Sequence, residues 1–540
     1  MPTKYVVVLG SLLSGLGKGI VTASLAKLLS MHGLNAMPLK FDGYLNYDCG
    51  TMNPFRHGEV FVLDDKSEVD MDFGTYERFL NTSLKGEFSL TGGKIFSAMI
   101  EMERRGDFLG NDVQFVPHVA EYIIGYLKGV AARNRLDVLL IEVGGTVGDI
   151  ENGYFIEAMR ELALRERVIF VNLTYVPELG AVGEQKTKPT QIALRNMMQF
   201  GIQPSFIICR SENALSEAAR NKVALFANVD ESAVIDDQNS GNIYRMPLHL
   251  MEQGLDSMVM KSLGLKPKAD GRSFERRAAS WGALCDAIDR KGPKVDIAIV
   301  GKYTQLHDAY ASVKEAIVHA AGKNMVSAEV HWIDSEMLEK SADSIPRLLD
   351  GMDGMIVPGG FGKRGIEGMI SAISYARTKR IPYLGLCLGM QLMAVEFARN
   401  VCGLWGANSA EFDSDTKHRI VDILPGQEAV TAKGGTMRLG LWTSRIEKGT
   451  MAYAAYKSEN VSERHRHRYE INNAYRETLT KAGIVVSAVN ADRGLVEMLE
   501  WRGSFGIGTQ AHPELESRLE MPNPLFISFI RAAKKRAAAR

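Results

Sequence analysis

The chain has 540 residues, of which 46% are hydrophobic and 24% charged, an ordinary globular composition that excludes a disordered or fibrous protein. Lys+Arg and Asp+Glu both number 64, so the formal net charge is zero. No global basic excess draws nucleic acid or an anionic membrane, and any polyanion must be met by a local patch.

Five cysteines, at positions 49, 209, 285, 387 and 402, form no CxxC pair, which excludes a disulfide framework or a zinc site and suits a reducing compartment. Met1 leads straight into an apolar strand, and no run approaches the ~18 apolar residues of a membrane span. A cytoplasmic protein with no membrane or nucleic-acid partner is expected.

Tyr5–Leu9 reads as a short buried strand. A glycine-rich turn follows, and Val21, Leu25 and Leu28 then recur at helical spacing. Similar apolar runs at Val138–Val143, Val168–Leu173 and Phe206–Cys209 predict a parallel sheet covered by helices on both faces. Residues 264–294 are polar and carry Pro and Gly, which predicts a linker with a helix over Phe274–Ile288. A second α/β series begins at Val295–Val300 and continues through Met355–Val357, Tyr383–Leu386 and Phe505–Gly508. The tail AAKKRAAAR reads as a solvated, frayed helix end. The expected organisation is two parallel-sheet α/β domains, 1–266 and 294–540, joined by a linker at 267–293.

Gly10–Gly19 (GSLLSGLGKG) lies between a strand and a helix. Backbone N–H groups at such a turn cradle an anion, and Lys18 can reach terminal phosphates. The strict P-loop pattern fails at Leu12 and at Gly19, which replaces the metal-holding Ser/Thr. Acids elsewhere must therefore hold Mg²⁺. Asp70 and Asp72 alternate in SEVDMDFG, a strand-like spacing that puts both on one side, and Glu142 ends an apolar strand. Lys186–Gln191 (KTKPTQ) gathers two Lys, two Thr and a Gln, a binder for a second phosphate chain.

Ile381–Gly389 (IPYLGLCLG) is a strand followed by G-x-C-x-G, the cysteine counterpart of a nucleophile elbow, with Cys387 at the head of a helix. Downstream, His512 is a candidate base and Glu514 its orienter. Pro358–Gly362 and the Leu388 N–H are candidate oxyanion donors. The other four cysteines read as structural. Arg464–Arg468 (RHRHR) is the most basic cluster and could clamp a substrate carboxylate.

These stretches, with YLNYDCGTMNPFRHGEVFV, RRGDFLG, IEVGGTVGDIE, ANSAEF and TMRLG, resemble the CTP synthase family over essentially the whole chain. The resemblance implies a dethiobiotin-synthetase-like ligase domain and a class I glutamine amidotransferase domain. It implies that UTP, ATP and L-glutamine give CTP, ADP, phosphate and glutamate through 4-phosphorylated UTP, with ammonia passing internally. By matching motif, Ser14, Gly15, Leu16, Gly17, Lys18, Gly19 and Lys40 bind nucleotide phosphates, and Asp72 and Glu142 hold Mg²⁺. Ser14, Asp149, Ile150, Glu151, Lys186, Thr187, Lys188, Pro189, Thr190, Gln191 and Lys222 match the positions for UTP, or for CTP as inhibitor. Gly360, Leu388, Gly389, Met390, Gln391, Glu411 and Arg468 match the glutamine pocket, and Cys387, His512 and Glu514 the triad. The family is activated by GTP, near segments holding Arg105, Asp107 and Arg438, and forms homotetramers (dimers of dimers) and filaments. Gly43, Cys49, Thr75 and Ala511 depart from the usual Pro, Pro, His and Phe. The competing readings are a cobyric-acid-synthase-like amidotransferase, a partitioning-type ATPase and a scaffold of little activity. KTKPTQ, Leu13 and the intact catalytic groups argue against them in turn.

Overall fold

The structure is a computed structural model that describes residues 2–13, 15–179, 184–238, 241–341, 343–424 and 434–540. Ser14 lies outside the described residues. Contacts divide the chain into two compact units whose segments interleave. The first holds Met1–Asp48, Thr75–Thr82 and Glu87–Cys285, and the second holds Cys49–Gly74, Ser83–Gly86 and Asp286–Arg540. Residues 49–74 and 83–86, placed with the first half by the sequence reading, thus pack with the second unit.

The first unit is built on a seven-stranded parallel sheet in the order Val234–Gln238, Phe206–Ser211, Val168–Tyr175, Lys4–Gly10, Val138–Val143, Ala36–Asp42, Ser89–Thr91. Strands covered on both faces need apolar residues at every position, not alternate ones. All six residues of Val138–Val143 and all but the first of Lys4–Gly10 are buried. Register sets Val8 and Lys40 on either side of Glu142, so the charges gather at the carboxyl edge, where open α/β sheets bind ligands.

The linker helix runs Gly271–Asp289, longer at both ends than expected. It packs on the first unit: the Trp281 indole N–H donates to the Tyr244 carbonyl at 2.7 Å, and the Lys27 ammonium lies 4.4 Å over the indole ring.

The second unit carries a nine-stranded sheet ordered Ser327–Asp334, Lys294–Gly301, Gly354–Val357, Tyr383–Leu386, Gly506–Thr509, Val496–Glu500, Val485–Asn490, Arg438–Ile446, Asn460–His467. The first five are parallel, as expected of an α/β domain, and the last four join antiparallel. The C-terminal helix Pro524–Ala539 carries the tail as a helix end whose last three residues are exposed, as read, but the helix continues to Ala539 rather than fraying. Asn523 caps it, Phe526, Phe529 and Ile530 are fully buried, and Arg540 pairs with Asp353 at 2.6 Å. Among the described residues no helix is long and apolar enough to cross a membrane.

Candidate active sites

In the first unit the turn after Lys4–Gly10 enters the helix Lys18–Met31 at Gly17, whose φ of 90° favours glycine. Among the described residues no side chain caps the helix, and the N–H groups of its first turn point to the side where an anion is expected. Lys18 is buried and donates to the Gly145 carbonyl at 2.8 Å. A Cβ on Gly10 would lie 2.7 Å from the Lys18 ammonium, so the glycine makes room for Lys18 to fold back over the strand end. Glu142 is buried and accepts from the Tyr76 hydroxyl. Lys40 is also buried, next to Asp42 at 3.9 Å. A cation absent from the sequence reading joins this loop. Arg210, which ends the Phe206–Ser211 strand, comes 3.4 Å from where a Gly17 Cβ would sit and pairs with Asp237 at 3.1 Å. Its only sequence signal is a cation ending an apolar run.

The second phosphate motif divides by role. Thr190 donates to the Tyr175 carbonyl at 3.0 Å and Gln191 to the Thr187 hydroxyl at 3.0 Å, so these three side chains are engaged internally. Lys188 and Pro189 open the helix Lys188–Gln199. Lys186 bonds Glu184 at 2.6 Å, and that bond with the charge of Lys222 holds the Glu184 carboxyl below its usual range. Lys186 and Lys222 therefore both act on the Glu184 charge. In the turn after Glu142, Asp149 accepts from the Thr146 N–H at 2.8 Å, while Ile150 is 93% exposed.

Asp70 and Asp72 do not alternate along a strand. Asp72 opens the helix Asp72–Leu80, and the Asp70 carboxylate accepts its N–H at 2.9 Å. Asp72 is half-buried and belongs to the second unit, while Glu142 belongs to the first. Mg²⁺ carried by a nucleotide takes one or two carboxylates and completes its shell with phosphate and water. Glu142 beside the phosphate turn fits that donor set. Among the described residues, the one triple of possible ligands is Asp296, Glu329 and His331, which already bonds Lys294 through Asp296 at 3.2 Å and Glu329 at 2.7 Å.

In the second unit Cys387 sits between the strand Tyr383–Leu386 and the helix Leu388–Asn400, with φ 50° and ψ −98°. That conformation is strained for a residue with a Cβ and is held by its surroundings. The Cys387 N–H donates to the Thr509 carbonyl at 2.7 Å, and a Cβ on Gly385 would lie 2.7 Å from the Gly389 carbonyl carbon. A Cβ on Gly389 would collide with the Val357 carbonyl. The sulfur lies at the helix N-terminus, where the dipole favours negative charge.

His512 Nδ1 and Glu514 Oε1 are 2.7 Å apart. Burial opposes the imidazolium, but the charges of Glu514 and Cys387 outweigh it and push His512 well above its usual range. A Cβ on Gly359 would lie 2.7 Å from His512 Cε1, so the Pro358–Gly362 turn lies against the imidazole. A pocket joins Cys387, His512 and Gly359 to Pro54, Glu59 and Val60 of the inserted segment. No pattern in the sequence placed those last three beside the cysteine.

The expected glutamine-pocket residues separate. Gly360 and Leu388 lie together at the cysteine turn, a Gly360 Cβ falling 3.4 Å from Leu388. Met390 is fully buried against Gly508, and Gln391 is buried among protein partners. Glu411 accepts from the Gly362 N–H at 2.8 Å, and burial pushes its carboxyl up. Lys302, which the sequence reading missed, donates to the Phe361 and Gly362 carbonyls, and burial lowers it to about 8. Arg468 bonds the Thr436 hydroxyl at 2.8 Å. Its neighbours are already bound: Arg464 pairs with Asp64 at 2.6 Å and Arg466 with Glu68 at 2.8 Å. Neither is a free clamp. Arg438 is likewise buried against Glu497 at 2.6 Å.

Two family profiles match the chain: CTP synthase N-terminus over residues 4–265 and glutamine amidotransferase class-I over residues 305–532. A CTP synthase of Pyrococcus abyssi is 48% identical over 99% of this chain and 98% of its own. One of Caldanaerobacter subterraneus is 47% identical over 98% of each. The chain belongs to the CTP synthase family. A solved glutaminase domain of Trypanosoma brucei CTPS with bound acivicin is 42% identical, with a TM-score of 0.42, over 45% of this chain and 94% of that one. Against the CTP synthase pattern, Gly43 has a physical reason: a Cβ there would collide with Asn152, whose amide is held by the Gly144 carbonyl at 2.7 Å. Cys49, Thr75 and Ala511 are all buried, and nothing in the structure explains their departure from the CTP synthase residues.

Proposed function

We propose that the protein makes CTP from UTP, using ATP and ammonia from glutamine. The observation that carries this is a single chain holding the Lys18 phosphate turn with Glu142 and the Cys387–His512–Glu514 set, in full-length likeness to CTP synthases. Uracil O4 is a poor leaving group, so the reading includes its phosphorylation by ATP before ammonia displaces phosphate. Lys18, Lys40 and the helix N–H groups meet the phosphate charge. Glu142 would lend a carboxylate to Mg²⁺, which when bound offsets that charge, and the family resemblance implies the same role for Asp72. Lys186 and Lys222 would meet the triphosphate of UTP, or of CTP as inhibitor.

At the second site the Cys387 proton passes to His512, and the thiolate then attacks the glutamine carboxamide carbon. The C–N bond then breaks, and His512 returns the proton to the departing ammonia. Water attacks the resulting thioester, giving glutamate and restoring the thiol. Glu514 holds the imidazole in line and stabilises its charged form. Activation by GTP, a homotetramer, filaments and a cytoplasmic location follow from the family resemblance.

The test incubates the protein with UTP, ATP and Mg²⁺, supplies glutamine or ammonium chloride, and follows the uracil-to-cytosine absorbance change. CTP is expected from both, and chelation of Mg²⁺ is expected to stop both. No CTP from either source would sink the reading. Cys387→Ala is expected to abolish the glutamine reaction and spare the ammonia reaction, and loss of both would show that the two sites are not separable.

A further inference from the structure

We propose that Gln510 is a catalytic residue of the glutaminase, its amide N–H holding the Cys387 sulfur in the thiolate form and aiming it. The inference rests on the reading of Cys387 as nucleophile. Gln510 is fully buried, and its Nε2 lies 3.5 Å from Cys387 Sγ. The neighbours decide which end of the amide meets the sulfur. Gln391 Nε2 donates to the Tyr469 carbonyl at 2.8 Å and to Gln510 Oε1 at 3.3 Å. A backbone carbonyl only accepts, so Gln391 must present its nitrogen there. Gln510 must then turn its oxygen toward Gln391, which leaves its N–H groups for the sulfur. Flipping Gln510 would set two N–H groups face to face and its carbonyl oxygen against the sulfur.

The anchor of this series is itself held. His467 Nδ1 lies 2.9 Å from the same Tyr469 carbonyl. The backbone N–H of Gln510 donates to the Glu497 carbonyl at 2.8 Å, and that of Cys387 to the Thr509 carbonyl at 2.7 Å. Backbone bonds to the sheet therefore fix both ends of the contact. An apolar pair would fill this space without the desolvation cost of two buried amides. A series of oriented amide dipoles ending on a reactive sulfur instead favours its charged form.

The test uses the full-length protein and the variants Gln510→Glu and Gln510→Met. Alkylation of Cys387 by iodoacetamide is followed by peptide mass spectrometry across pH, with glutamine hydrolysis and melting measured alongside. Gln510→Glu keeps the acceptor for Gln391 but puts a carboxyl against the sulfur, and Gln510→Met keeps the bulk without a donor. Both are expected to move the alkylation midpoint to higher pH and to slow alkylation at neutral pH roughly tenfold, the scale of a hydrogen bond to a charged group. Should Gln510→Met fail to fold, Gln510→Glu carries the test. An unmoved alkylation profile in variants that melt like the parent overturns the role of Gln510 while leaving Cys387 in place. Glutamine hydrolysis that survives Cys387→Ala removes the nucleophile assignment, and Gln510 falls with it.

Discussion

Glu470 is buried in the strand Tyr469–Ile471, and burial pushes its carboxyl from 4.5 to about 7. Its folded value lies above its unfolded value, so the folded chain holds the proton longer. Stability therefore falls as pH rises from about 4.5 to about 7, and the full cost, about 3 kcal/mol, stands above that window. Gln in place of Glu470 is expected to raise the melting temperature at pH 8 and leave it nearly unchanged at pH 4.5, read by thermal melts at the two pH values. Lys18 is tested by its absence. Lys18→Ala is expected to slow CTP formation from ammonia about a hundredfold or more, the scale of losing a charge-stabilising donor. A rate within a few fold of the parent would remove Lys18 from the phosphate site. At this scale the candidate residues were legible: glycines, Lys18, Cys387 and His512 stand out by type and spacing, and the structure places Lys18 at the glycine turn and Cys387 and His512 in one pocket. Arg210 and Lys302 did not, because single cations carry no pattern.

At the scale of elements, the cysteine turn depends on glycines pressed against backbone. Gly389→Ala is expected to destabilise the protein by about 1–3 kcal/mol, as overpacking does, and to abolish glutamine hydrolysis, measured by melting and by glutamate release. Full hydrolysis in that variant would show that the Gly354–Val357 strand end can yield. Strand positions were read well where both faces are buried, since the apolar run is then continuous: Val138–Val143 and Tyr383–Leu386 match to the residue. SEVDMDFG misled because two acids spaced by one residue suit a strand edge and an Asp-capped turn alike. The turn won, with the Asp70 carboxylate bonded to the Asp72 N–H at 2.9 Å. The tail is a largely solvated helix end as read, and only its fraying was misjudged, because its alanines carry little hydropathy, yet Ala533 is fully buried and Arg536 donates to the Met352 carbonyl at 3.2 Å.

Over the whole molecule the segment Cys49–Gly74 is bound into the second unit by buried charges. Arg464 and Arg466 reach Asp64 and Glu68 from the strand whose carbonyls also meet His512 and Cys387: the His512 N–H donates to the Arg464 carbonyl at 2.8 Å, and the Cys387 thiol lies 3.9 Å from that of Arg466. Glu68→Ala would leave Arg466 without its carboxylate. A loss of about 3–5 kcal/mol is expected, as for a broken buried pair, with weaker glutamine hydrolysis; unchanged melting and hydrolysis would show the pair to be dispensable. By itself the sequence determined the two α/β halves, the glycine turns that carry Lys18 and Cys387, and the family, because these follow from local periodicity and from residue types spaced along the chain. Only the tertiary structure decided that residues 49–74 wall the cysteine pocket, that two of the three clustered arginines are bound, and which end of Gln510 faces the sulfur. Those outcomes depend on contacts between residues from 78 to about 400 positions apart, and no local pattern encodes such a contact.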